Sequence, residues 1–288
     1  MDKNRKEEDM ILNIFKIIIV SIFGSMYQAI GIGVDSYKYL VNTFVKIDNL
    51  SINFENALFV TIQIGIVLSI LLLFHNRIWP FKKIKIDDEY KIGINISRVK
   101  LLFKIAIPVI VYVLVKQIYG NVIINFFDAK IANIVLLLIL GGLIILFQMN
   151  KKENKINSLY EIGWKEVFII TIFNIVFGFI FHDTSLLTIM IVIGLYFGIS
   201  RKISFEYGLY MILFLFMINF LFNISLFYGF NLNEWILLLI CLIFSFITSV
   251  IIIRGTMDFL KKGDYRFIGI FKILIGFYYL ILLFLKLI

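Results

Sequence analysis

The run VFIITIFNIVFGFIF-HDTS-LLTIMIVIGLYFGI, from Val167 to Ile199, decides how the chain is read. Its first arm, Val167 to Phe181, has 15 residues, and its second, Leu186 to Ile199, has 14. At 1.5 Å per residue each arm spans roughly 22 Å, short of the roughly 30 Å of a hydrocarbon core. A single helix of the whole length would hold Asp183 near the bilayer midplane, at a cost of about 2.5 to 3.5 kcal/mol or more. A re-entrant hairpin is therefore expected, because its polar tip, His182-Asp183-Thr184-Ser185, can lie against protein or in a wet cavity.

Six stretches elsewhere are long enough to cross: Phe54 to Phe74, Leu101 to Tyr119, Ile131 to Met149, Tyr207 to Leu226, Trp235 to Ile253 and Phe267 to Leu285. Pro108 falls inside the second, where it is expected to bend the helix. The amino-terminal part opens like the hairpin. Met10 to Val34 carries one charge, Lys16, and breaks at Gly31-Ile32-Gly33-Val34-Asp35-Ser36 before a shorter arm, Tyr37 to Val45. Each half then reads as a broken segment followed by three spans. Paired interrupted segments at matching places in two halves point to a binding site in an inverted-repeat fold. The expectation is an all-α polytopic membrane protein, one membrane domain over 1–288, with a first repeat at 10–150 and a second at 160–288.

Composition agrees: of 288 residues 61% are hydrophobic and 16% charged, and the mean hydropathy is +0.98. A soluble domain carries about 25% charged residues, so an ordinary cytosolic protein is excluded. The net charge of +9 does not call for nucleic acid, because the bases gather between spans. The loop His75 to Lys100 holds seven, Asn150 to Glu166 four, and Arg254 to Arg266 four, whereas Phe227 to Glu234 holds none. The basic loops belong in the cytoplasm, which puts the second hairpin on the inner side, the first on the outer side, and both termini outside. Lys3, Arg5 and Lys6 oppose this but are mixed with four acids. No cleavable leader is read at the amino terminus. The lone Cys241 permits neither an intrachain disulfide nor a cysteine metal site, and two histidines cannot furnish a zinc hydrolase.

The segment Asn53-Phe-Glu-Asn-Ala-Leu-Phe-Val-Thr-Ile-Gln63-Ile-Gly65 resembles the Phe-x-x-x-Ile-Gln-x-Gly segment of bacterial undecaprenyl-diphosphate phosphatases, the bacitracin-resistance family. Gly198-Ile-Ser-Arg201 through Tyr207-Gly resembles that family's Gly-Leu-Ser-Arg motif, and Phe267 through Phe271-Lys272 to Gly276 its Phe-x-x-Tyr-Arg-x-x-x-Gly. Lys104 to Pro108 is a weaker likeness. The resemblance implies six spans with two opposed re-entrant hairpins in a bacterial cytoplasmic membrane, and a polyprenyl (di)phosphate lipid as ligand.

The catalytic motifs match less well. The family's Pro-Gly-Thr-Ser-Arg-Ser-Gly falls on His182 to Thr188, so Thr184 and Ser185 are kept while Leu186 replaces the arginine. Its Pro-Ile-Ser-Ser-Thr-Gly-His falls on Gly33 to Tyr39, keeping Ser36 and putting tyrosine for histidine. Its two upstream glutamates fall on Met26 and Ile30. Phosphoryl removal needs a positive clamp, a nucleophile or activated water, and a proton carrier. The resemblance implies Ser36 and Ser185 as catalytic candidates and Thr184 and Ser185 as phosphate contacts; Lys38, at one tip, is the substitute cation for phosphate, or else it snorkels to the interface. Asp35 and Asp183 would hold a divalent cation, Mg or Ca, or else cap the helices that follow them. Gln28, Gln63 and His182 would line the pocket. Gln63 has the alternative of bonding between helices; Arg201, which aligns with a family arginine, equally suits plain topology at a helix end, and His75 and Cys241 are read as structural.

These losses give the expected function: a divergent family member that binds a polyprenyl (di)phosphate with weak or no phosphatase activity. The alternatives are an active phosphatase with a rebuilt site, and a small-solute transporter or accessory subunit. The expected partners are the lipid, the membrane and a second copy of the chain.

Overall fold

A computed structural model describes residues 2–32, 37–38, 41, 45, 50–51, 53–86, 89–123, 129–149, 154–180 and 185–286. Its side-chain detail covers these except 2–9, 82–86, 89–92, 120–123, 129–130, 132–133, 179–180 and 262. Within them the chain forms helices α1 (Asp2–Ala29), α2 (Phe54–Ile78), α3 (Ile96–Ile123) and α4 (Ala129–Met149), then α5 (Trp164–Ile180) and α6 (Leu186–Phe197). Helices α7 (Arg201–Phe222), α8 (Leu232–Lys262) and α9 (Arg266–Phe284) complete it. The deciding stretch is thus two helices, α5 and α6, on either side of the His182 to Ser185 break. Helix α6 ends where Gly198 takes a left-handed conformation, φ 73°, which spares the chain the Cβ clash another residue would meet there.

Among the described residues, six helices are long and apolar enough to cross a membrane: Met10–Ala29, Phe54–Ile78, Ile96–Tyr119, Arg201–Phe222, Leu232–Lys261 and Arg266–Phe284. Two points differ from the sequence reading. The first helix, read from sequence as part of a broken segment, is itself long enough to cross; the expected stretch Ile131 to Met149 lies within the single helix α4. The basic loop after α2 also contains an antiparallel hairpin, β1 (Phe81–Ile86) with β2 (Glu89–Ile94), in register Phe81 to Ile94. Lysine and isoleucine alternate there, a period of two that suits a strand. Helix α3 continues through Pro108.

Helix α1 packs on α8, α5 on α3, α2 on α8, and α7 on α3; α4 packs on α9 and α2 on α7. Exchanging α1 for α5, α2 for α7, α3 for α8 and α4 for α9 interchanges the first pair with the second and the third with the fourth, and returns α4–α9 and α2–α7 to themselves. The α4–α9 contact is made backbone to backbone. A Cβ on Gly141 would lie 2.8 Å from the Gly269 carbonyl oxygen, and one on Gly269 would lie 2.9 Å from that of Gly141. Small residues permit this close approach of spans.

The base-rich end is tied by polar side chains. Arg77 Nη1 donates to both carboxylate oxygens of the buried Glu206, at 2.8 and 2.7 Å, and Tyr210 donates to the same group at 2.7 Å. Arg201 donates to Gln148 at 3.2 Å and to the Gly263 carbonyl at 2.8 Å, while Tyr265 donates to the Arg201 carbonyl. The Tyr265 phenol lies outside the spans, and burial pushes its pKa up. At the other end Asn231 and Glu234 cap α8 reciprocally at 2.9 Å, and Glu234 also accepts from the Ser51 N–H at 2.7 Å.

Candidate functional site

The two halves meet in the interior at Gly31. Helix α1 stops at Ala29, and Gly31 takes φ 88°, a left-handed turn that costs glycine little. Nothing larger fits, because a Cβ there would lie 2.7 Å from Thr188 Oγ1. The Gly31 carbonyl accepts two hydrogen bonds from the second half: Thr188 Oγ1 of α6 at 2.6 Å and Lys272 Nζ of α9 at 2.6 Å. Lys272 is 1% exposed. An ionisable side chain at such depth in an apolar span is a functional candidate by default.

One turn earlier on α1, Gln28 is buried, and neither atom of its amide has a partner among the described residues. A buried orphan group costs about 1 to 3 kcal/mol, so this amide is suited to a polar ligand or water. The neighbouring Tyr27 packs edge-on against Phe271, 6.3 Å between centroids, and against Tyr37 at 5.7 Å. Tyr37 donates to the Val20 carbonyl and meets Phe59 edge-on at 5.9 Å. Tyr37 is thereby held against α1 and α2.

Of the residues singled out from sequence, Asp35, Ser36, His182, Asp183 and Thr184 lie outside the described residues. Lys38 stands with its ammonium 5.1 Å from the centroid of the Phe59 ring, a cation–π contact. Ser185 occupies the N-cap position of α6 but makes no side-chain capping bond. Leu186, aligned with the family's arginine, is wholly buried. Gln63 takes the second of its two readings: its carbonyl oxygen accepts from Asn219 Nδ2 at 2.6 Å, bridging α2 and α7. Cys241 is buried against the Leu58 carbonyl, and Arg201 fastens α7 to its neighbours. Among the described residues no three His, Cys, Asp or Glu side chains cluster to hold a metal.

The sequence reading missed Lys272 and Thr188 as site residues. Lys272 had its signal, the one charge between Phe267 and Leu285. Thr188 had only its place six residues beyond the break at His182.

Among the described residues, six helices long and apolar enough to cross, packed around a buried polar junction at Gly31, define a multi-pass α-helical membrane protein. A profile of the family described as bacitracin resistance protein BacA matches residues 36–278. Undecaprenyl-diphosphatase of Desulfitobacterium hafniense is 30% identical over 269 residues, covering 92% of this chain and 94% of that protein. The proteins of the same name from Lachnoclostridium phytofermentans, 26% identical with 92% and 95% covered, and from Clostridioides difficile, there called undecaprenyl-diphosphatase 1, 24% with 92% and 94%, are also similar. The chain belongs to the bacitracin resistance protein BacA family, and it is a multi-pass protein of the bacterial cytoplasmic membrane.

Proposed function

We propose that the chain binds a polyprenyl (di)phosphate lipid with its head group at the Gly31 junction, and that its phosphatase activity is weak or absent. The observation that carries this is the convergence of the Lys272 ammonium and the Thr188 hydroxyl on the buried Gly31 carbonyl, with the Gln28 amide, unpartnered among the described residues, on the turn of α1 just before it. Low polarity around them strengthens the pull of a fixed ammonium on phosphate. The exchangeable packing of the helices supports reading residues 10–150 and 160–288 as inverted repeats with the site at their interface. Loss of activity is argued from the motifs. Leu186 offers no charge to transferring oxygens, and removing one preorganised donor costs about a hundredfold to a thousandfold in rate. Asp35 and Asp183 oppose an anion unless a divalent cation bridges them or they cap their helices. Ser36 and Ser185 with Thr184 and Lys38 remain the candidates for direct contact.

The second reading, an active undecaprenyl-diphosphate phosphatase with a rebuilt site, is favoured by the names of the relatives, which extend over nearly the whole chain. Lys272 would then replace the missing arginine as the clamp. A small-solute transporter or accessory subunit has no observation of its own in its favour.

Phosphate release from C55 diphosphate by the purified chain, with and without Mg²⁺ or Ca²⁺, separates the readings. Release at least a thousandfold below that of an intact family member, together with saturable binding of C55 monophosphate, is the expected result. Release at a family member's rate, abolished by Ser36→Ala, establishes the second reading instead. No binding of either lipid overturns both.

A further inference from the structure

The lipid-facing sides of α2 and α8 enclose a groove of about 740 Å³, remote in character from the polar junction. Its walls are apolar: with Phe246 they include Leu68 and Leu72 on α2 and Ile243 and Ile247 on α8. Those two leucines and two isoleucines are exposed, 41 and 62% on α2, 44 and 47% on α8. Both helices are spans, so what meets these side chains is hydrocarbon, not water. Seen along α2, the wall residues follow the helical spacing 68, 72, 75, 76, and it ends in His75 and Asn76. The polar end is therefore at the base-rich side, which the distribution of charge places in the cytoplasm.

On α8 the spacing 243, 247, 251, 254 continues the same stripe through the exposed Ile251 to the exposed Arg254. Trp79 stacks on His75 at 5.6 Å and its carbonyl accepts from Arg98 at 2.8 Å, the aromatic and cationic dress of a membrane interface. The groove thus runs from an apolar slot to a mouth lined by a histidine and an amide, and helical spacing carries the α8 stripe about two turns past Ile247 to Arg254. We infer that it holds one acyl chain of an inner-leaflet phospholipid whose anionic head group is bound between His75–Asn76 and Arg254.

A lipid in this place braces α2 against α8. Shape retains the chain, and charge selects the head group. One arginine near an anionic surface contributes about fivefold in affinity. The slot and the mouth therefore make separable demands.

Native mass spectrometry of the full chain in detergent, titrated with phosphatidylglycerol or with phosphatidylcholine, tests both. The wild type is expected to retain one phosphatidylglycerol tightly. Arg254→Gln should weaken that lipid about fivefold and leave phosphatidylcholine unchanged. Leu72→Trp with Ile243→Trp should abolish retention of the tight lipid by filling the slot, whereas Leu114→Trp, on an exposed face of α3, should not. Equal retention by all variants means an annular lipid only and overturns the inference. Loss of a dimer mass in the double variant, with lipid retention unchanged, identifies the groove as a contact between two copies and overturns it equally. Should the tryptophan variants fail to fold, the head-group dependence of Arg254→Gln decides alone. None of these readouts depends on the Gly31 junction or on C55 lipids.

Discussion

The base-rich end and the Gly31 junction both use a cation, and they use it differently. Arg77 is half exposed while its partner Glu206 is fully buried, so water completes the solvation of one member and the other is neutralised in place. Lys272 sits deep in α9 and donates to a carbonyl that already accepts from Thr188. The first arrangement holds two helices together. The second places an ionisable side chain deep in an apolar span, at the proposed head-group site. Partway along the same α2–α7 pair, neutral amides serve instead: Gln63 and Asn219.

Breaking the edge pair should have the largest effect on stability. Arg77→Ala leaves Glu206 buried without its cation. A fully buried pair broken this way loses about 3 to 5 kcal/mol, and exposure of Arg77 reduces this to about 2 to 3. Unfolding in denaturing detergent mixtures measures it, and Arg77→Lys should recover part of the loss. Lys272→Met comes next and acts on the ligand: C55 monophosphate binding should weaken roughly tenfold to hundredfold, the worth of a charge-assisted bond of about 1.5 to 3 kcal/mol. Unchanged binding in a folded variant would erase the distinction between the two cations. Gly31→Ala should cost about 1 to 2 kcal/mol for the left-handed turn, with additional loss of C55 binding because the new Cβ meets Thr188. Gln63→Leu should cost least, about 0.6 kcal/mol, the average for interhelical hydrogen bonds in membranes, and leave lipid binding unaffected. A large loss of binding there would move Gln63 back to the site.

The spans were legible because a bilayer imposes a length, and the division of Val167 to Ile199 into two helices, α5 and α6, because one helix of that length would hold a carboxylate in hydrocarbon. The expected hairpin tip, His182 to Thr184, lies outside the described residues. The β1–β2 hairpin escaped notice inside a loop counted for charge alone, although Ile84 and Ile86 alternate with lysine. Arg77 and Glu206 are far apart in sequence and share no periodic pattern, so only folding reveals them as partners. Lys272 was hidden by its own motif: as one letter in a resemblance it read as scaffold, whereas its depth in an apolar span was the physical clue. The orphaned state of Gln28 depends on what packs around it, which no local pattern encodes.

The α4–α9 crossing carries a genetic consequence. Where a large residue opposes a small one, a harmful enlargement on one side can be relieved by a reduction on the other. Gly141 and Gly269 each face the other's backbone, and neither has an atom left to give up. A substitution at either position therefore has no suppressor at its partner. Revertants selected against Gly141→Ala should map to true reversion, or to sites that shift a whole helix, and never to residue 269.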